Sequence, residues 1–195
     1  MTHPYTLPNI LTGLRIVLIP VIIGLFYLPY GWGDILAGLL FALAGITDTL
    51  DGYIARRTGQ VSPLGAFLDP VADKLIVATA LVLIVSRNHE WYVTLTAAVI
   101  IGREIAISAL REWMAEIGAR RKVAVTRLGK FKTIAQIVGL SMMLFYEDLL
   151  GLPIYRIGLA LTVVAAVLTL WSMLVYLRAA WPDLASRTRP GRPDS

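Results

Sequence analysis

Four aspartates set into apolar sequence constrain this chain more than anything else in it. Asp48 and Asp51 stand three residues apart near the end of one apolar stretch, and Asp69 and Asp73 stand four apart near the start of the next. Each spacing places its pair on one face of a helix. Carboxylates at or near membrane depth are costly, and their presence there marks a functional site. Two helices that each offer two carboxylates make an oxygen-rich site suited to hard cations such as Mg2+ or Mn2+.

The flanking sequence points to a membrane. Of the 195 residues, 57% are apolar and 16% charged, against about half and a quarter in an ordinary soluble domain. Six apolar stretches run over 8–28, 34–55, 65–86, 92–113, 129–147 and 152–177. Each is near the roughly 20 residues that cross hydrocarbon. The expectation is an all-α integral membrane protein of six transmembrane helices. A membrane domain would fill 1–182, followed by a basic tail, 183–195, whose composition predicts disorder. Met1-Thr-His3-Pro-Tyr5 lacks a basic n-region and the first apolar run is long, so a retained span is expected and not a cleaved signal.

Absent residue types narrow the chemistry. The chain has no cysteine, which excludes disulfides and thiolate metal sites. Its two histidines give no basis for a histidine-built zinc site. The net charge of +5 fits membrane topology better than nucleic acid. Connections near 28–34, 87–91 and 147–156 hold only Arg87 and Arg156 as cations. The other side collects Arg56, Arg57, Arg120, Arg121, Lys122, Arg127, Lys130, Lys132 and the arginines of the tail. The positive-inside rule then puts both termini and the carboxylates on the cytoplasmic side.

Several residues carry two readings. Asn9 suits a helix cap, and Arg15 either snorkels to the interface or lines a site entrance. Pro20 lies within the first span and predicts a kink. Gly52 and Ala55 are small enough for a ligand or a neighbouring helix to approach. Arg56 offers a planar fork of donors to a phosphate, or anchors the interface. Ser62-Pro63 and Asp69-Pro70 each have the form of a helix start, and the second makes Asp69 a candidate cap. That reading leaves Asp73, a turn further in, unexplained. Lys74 follows Asp73 directly, and consecutive helical residues do not face each other. Arg103 and Glu104 fall at mid-span, where they form a structural ion pair or, with Arg111 two turns on, a wall of an anion pocket. Lys130 and Lys132 open the fifth span within reach of the same pocket. These residues together suit metal-dependent transfer or hydrolysis of a phosphate group on a lipid.

The pattern Asp48-x2-Asp51-Gly52-x2-Ala55-Arg56-x8-Gly65-x3-Asp69-x3-Asp73 resembles the signature of the CDP-alcohol phosphotransferases, with every fixed position filled. The resemblance implies a six-helix membrane fold, a homodimer, and two Mg2+ or Mn2+ ions at a cytoplasm-facing site. It implies that an alcohol displaces CMP from a CDP-linked donor. Carried over by position, Asp48, Asp51, Asp69 and Asp73 would hold the metals, and Asp73 would accept the proton. Asn9, Thr12, Gly52, Ala55, Arg56, Ser62 and Gly65 would meet CDP-diacylglycerol.

A narrower resemblance covers most of the chain. Asn9-x2-Thr12-x2-Arg15, the run from Arg103 to Met114, and Val123-Ala-Val-x2-Leu-Gly-Lys130-x-Lys132-Thr are similar to the bacterial branch of the family that uses sn-glycerol 3-phosphate. It implies a multi-pass protein of the bacterial inner membrane. Arg103, Arg111, Lys130 and Lys132 would then bind the acceptor's phosphate. Other acceptors within the family are inositol phosphate, serine and phosphatidylglycerol. An ion-binding transporter is the rival class, but transport does not require the fixed spacing of Gly52, Ala55, Arg56 and Gly65.

Overall fold

The computed structural model describes residues 7–58, 63–116, 127–149 and 151–187; side chains at 7–9, 49–58, 63–64, 66, 127–130 and 179–187 fall outside that description. The described residues form α1 (Leu7–Phe26), α2 (Gly31–Thr58), α3 (Pro63–Arg87), α4 (Trp91–Glu116), α5 (Arg127–Phe145) and α6 (Ile154–Arg187). The expected apolar stretches correspond one to one with these helices. Three of them contain segments long and apolar enough to cross a bilayer, at Gly31–Asp48, Trp91–Glu116 and Ile154–Arg178. Ile10–Phe26 and Phe131–Phe145 are shorter apolar helical segments.

Three local expectations are corrected. Helix α1 begins at Leu7, so Asn9 lies inside the helix and not at its cap. Helix α3 begins at Pro63 and runs through Pro70, so Asp69 is an interior residue. Proline removes one backbone donor, a loss that a helix buried among neighbours tolerates. Helix α6 extends to Arg187, past the expected end at 177 and into the segment assigned to the tail. Alanine, leucine and arginine favour helix whether or not they lie in lipid, so a polar shift in composition does not stop the backbone.

The outside of the bundle is apolar: Val17, Leu39, Leu43, Val82, Leu95 and Trp171 are all exposed. Such a surface suits lipid contact and not water. The interior holds Ile22, Phe41, Ile76, Ile84, Ile100 and Leu140. Lipid tails are as apolar as these side chains, so close backbone approach has to supply much of the packing energy. Glycine permits that approach. A Cβ on Gly139 of α5 would stand 2.8 Å from the carbonyl oxygen of Gly158 on α6, and one on Gly158 would stand 2.7 Å from that of Gly139.

Away from the aspartates, Arg87 ties three helices together. Its Nη1 lies 2.7 Å from Asp34 Oδ1, and its Nη2 donates to the Phe26 carbonyl at 3.1 Å. The guanidinium carbon lies 4.0 Å from the Phe26 ring centroid and 5.0 Å from that of Tyr146. The cation expected in the 87–91 connection is thus held by an acid, a carbonyl and two aromatic faces.

The glycine contact generates a stability prediction. Gly139→Val should lower the thermal midpoint in detergent, because overpacking of this kind costs about 1–3 kcal/mol. Gly24→Ala, with no atom within 4 Å of the added carbon, should leave the midpoint unchanged or raise it. Equal losses from both would show that α5 and α6 do not meet through Gly139.

Candidate active site

Helices α1, α2 and α3 bring Asp48, Asp69 and Asp73 together with two α1 side chains. Thr12 and Arg15 are one turn apart on α1 and both are fully buried. The Thr12 hydroxyl donates to the Asp69 carboxylate. The Arg15 guanidinium, 2% exposed, pairs with Asp73 and also lies 3.1 Å from Asp48 Oδ1. Asp48 and Asp73 remain partly open, at 38% and 42% exposure. One buried cation therefore bridges carboxylates from two helices. The snorkelling reading of Arg15 is overturned, because the apolar bundle offers its charge no better partner than these acids.

Asp48 and Asp73 open into a cavity of about 270 Å3. Arg103, Glu104, Arg111 and Lys132 line the same cavity, as do Lys74, Gln136 and Tyr176. Arg103 is buried, with Nη1 at 3.1 Å from Glu104 Oε2 and Nη2 donating to Thr169 Oγ1 at 3.2 Å. The two mid-span readings thus hold together: Arg103 pairs with Glu104 and also lines the pocket. Lys132 Nζ donates to Ser172 Oγ at 3.4 Å. The Arg111 guanidinium carbon stands 5.8 Å from the Tyr176 ring centroid. Asp48 and Asp73 bring acid from α2 and α3, with Arg15 and Lys74 beside them, and Arg103, Arg111 and Lys132 bring cations from α4 and α5, with Glu104 among them.

The remaining expected site residues divide into two groups. Gly65 is buried on α3. Asn9 on α1, Asp51, Gly52, Ala55 and Arg56 on α2, and Lys130 on α5 have helical backbones, but their side chains lie outside the described residues. Ser62 lies outside them altogether. Among the described residues no three acidic side chains converge closely enough to ligate one ion. The donor chemistry nonetheless suits Mg2+ or Mn2+. Asp48 and Asp73 already hold positive charge between them as the Arg15 guanidinium, and carboxylate oxygens are the ligands these ions select.

Sequence reading placed Thr12 among the donor contacts and left Arg15 between snorkelling and lining a site entrance, but it assigned neither of them to an aspartate. The Thr12-x2-Arg15 spacing, read as one helical face, carries that signal. Thr169 and Ser172 gave no such signal, because isolated hydroxyls are ordinary in membrane helices.

Comparison with known proteins places this sequence in a class. A family profile described as CDP-alcohol phosphatidyltransferase matches residues 5–175. The chain belongs to the CDP-alcohol phosphatidyltransferase family. Its relatives include proteins named CDP-diacylglycerol--glycerol-3-phosphate 3-phosphatidyltransferase from Escherichia coli (strain K12), Salmonella choleraesuis (strain SC-B67) and Shigella flexneri serotype 5b (strain 8401). Each is 52% identical over 180 residues, covering 92% of this chain and 97% of the relative.

The charge bridge on α1 is open to a double-mutant test. Arg15→Gln should cost on the order of 1.5–3 kcal/mol of stability, the range for hydrogen bonds to charged groups. Combined with Asp48→Asn, the loss should be smaller than the sum of the two single losses. Additive losses in thermal unfolding would show that Asp48 does not feel Arg15.

Proposed function

We propose that this chain transfers the phosphatidyl group of CDP-diacylglycerol to sn-glycerol 3-phosphate, giving phosphatidylglycerophosphate and CMP. The observation that carries this reading is the single cavity in which Asp48 and Asp73 meet Arg103, Arg111 and Lys132. A dianionic acceptor needs cations to hold it and a base close to its hydroxyl. A serine acceptor, which is zwitterionic, would bring no net negative charge to Arg103, Arg111 and Lys132, against which the α4 and α5 walls of the cavity set the single acid Glu104.

The residues divide the work. Arg103, Arg111 and Lys132, with Lys130, hold the acceptor's phosphate. Asn9, Thr12, Gly52, Ala55, Arg56, Ser62 and Gly65 meet the donor. Asp73 takes the proton of the primary hydroxyl. The freed oxygen attacks the phosphorus that carries diacylglycerol, and the bond from that phosphorus to the CMP oxygen breaks. Two Mg2+ or Mn2+ ions, held by Asp48, Asp51, Asp69 and Asp73, would supply Lewis-acid stabilisation of the charge that develops on the diphosphate. The side chains must bring two anionic substrates together, and their cations lower the repulsion.

In this reading six helices cross the inner membrane of a bacterium. The site and both termini face the cytoplasm, where glycerol 3-phosphate is dissolved, while the donor's acyl chains stay in lipid. The exposed apolar surface and the basic residues near the aspartate end support this placement. The protein works as a homodimer.

Purified protein in detergent should release CMP from CDP-diacylglycerol with Mg2+ only when glycerol 3-phosphate is present. Release with serine or inositol phosphate instead would discard the acceptor and keep the family. Asp73→Asn should retain the fold and lower turnover at least about a hundredfold, the lower range for loss of a general base. Near-normal turnover in that variant would remove Asp73 from the role.

A further inference from the structure

Helix α6 has so far been scaffold. Its residues Thr169, Ser172 and Tyr176 follow one another at three and then four positions, which places them on one face of the helix. Each meets a different cation of the cavity. Thr169 accepts from Arg103, Ser172 accepts from Lys132, and Tyr176 presents its ring towards Arg111. The three cations come from two other helices, α4 and α5. Helix α6 is thus the common element against which they are registered.

Burial shows how these partners act. Thr169 is fully buried, and neither it nor Ser172 lines the cavity, whereas Arg103 and Lys132 do. The hydroxyls stand behind the cations. Long cationic side chains otherwise keep many rotamers, and three of them in one pocket repel one another. A carboxylate in place of each hydroxyl would fix the side chain but cancel its charge. A neutral oxygen or an aromatic face fixes direction and leaves the charge free for an anion. Glu104, whose charge also reaches Lys132, is the acid that pairs with Arg103. The Arg103 Nε is buried without a hydrogen-bond partner among the described residues, so the guanidinium retains a donor beyond those held by Glu104 and Thr169.

We infer that Thr169, Ser172 and Tyr176 form a neutral ladder on α6 that positions Arg103, Lys132 and Arg111 to receive the phosphate of the acceptor. The inference rests on the proposed acceptor reading and extends it to α6, where Thr169 and Ser172 stand outside the cavity and Tyr176 lines it beside Arg111. These are positioning residues. Their loss acts on acceptor binding and leaves donor binding untouched.

The test is steady-state kinetics of CMP release by the full chain, with each substrate varied in turn. Thr169→Val keeps the side-chain shape and removes the hydroxyl. It should raise KM for glycerol 3-phosphate about tenfold, the effect of one lost hydrogen bond to a charged group. KM for CDP-diacylglycerol should stay within about twofold, since a loss confined to one substrate's site leaves the other's affinity unchanged. Thr169→Ser should restore the wild-type value. Ser172→Ala, at a less buried position, should show the same split and covers the case in which Thr169→Val does not fold. Equal rises in both KM values, an unchanged acceptor KM, or failure of Thr169→Ser to rescue would overturn the ladder. Wild-type protein that releases CMP only with a different acceptor would instead overturn the functional reading on which the ladder rests.

Discussion

The fold depends on how it compensates charge inside an apolar bundle. Asp48, Asp69, Asp73, Arg15, Arg103 and Lys132 all sit on helices whose outer surfaces are apolar. A charge without a partner in such a setting is far more costly than any single packing contact gains. The structure answers with reciprocal assignments. Arg15 serves Asp48 and Asp73, Thr12 serves Asp69, and Glu104 serves Arg103. Because these partners come from different helices, charge compensation also fixes the helices relative to one another. The same constraint explains why α1 belongs to the site although it carries no acid of its own. Without Arg15 the facing pair on α2 and α3 would repel.

Packing turns that compensation into a cavity of definite shape. Gly38 and Gly45 let α2 lie close against α5, and Gly139 and Gly158 bring α5 against α6. Close approach of backbones leaves little freedom for one helix to slide along another. The cations on α4 and α5 therefore keep their places relative to the aspartates on α2 and α3. Polar chemistry and small-residue packing are two parts of one solution. The first selects which faces turn inward, and the second holds them at a fixed spacing.

Much of this was legible in the sequence, for reasons that particular residues make clear. Periodic apolar stretches separated by short polar turns gave the helices, since few other structures satisfy backbone groups in lipid. The spacing of the aspartates pointed to the region where the structure groups Asp48, Asp69 and Asp73 around Thr12 and Arg15, because carboxylates in such sequence have no ordinary structural reason to recur. Local signals were less informative. Of the two proline starts, Ser62-Pro63 and Asp69-Pro70, the helix takes the first, at Pro63, and is already formed where it reaches Asp69. Arg15 was ambiguous because its partners lie 33 and 58 positions further along the chain, at Asp48 and Asp73 (48 − 15 and 73 − 15). Only the fold brings them within reach.

The same contrast separates the two ends of the cavity. At the acidic end the protein pairs opposite charges directly, Arg15 with Asp48 and Asp73, and so keeps the local net charge low. At the cationic end it uses mostly neutral partners, and the positive charge persists. A pocket neutralised throughout would have no preference for an anionic acceptor. One left wholly uncompensated would repel itself apart in a low-dielectric bundle. Orienting the cations with hydroxyls and an aromatic ring is the intermediate case. It leaves positive charge in an apolar bundle at a cost to stability, and in the proposed reading the acceptor's phosphate would relieve that cost.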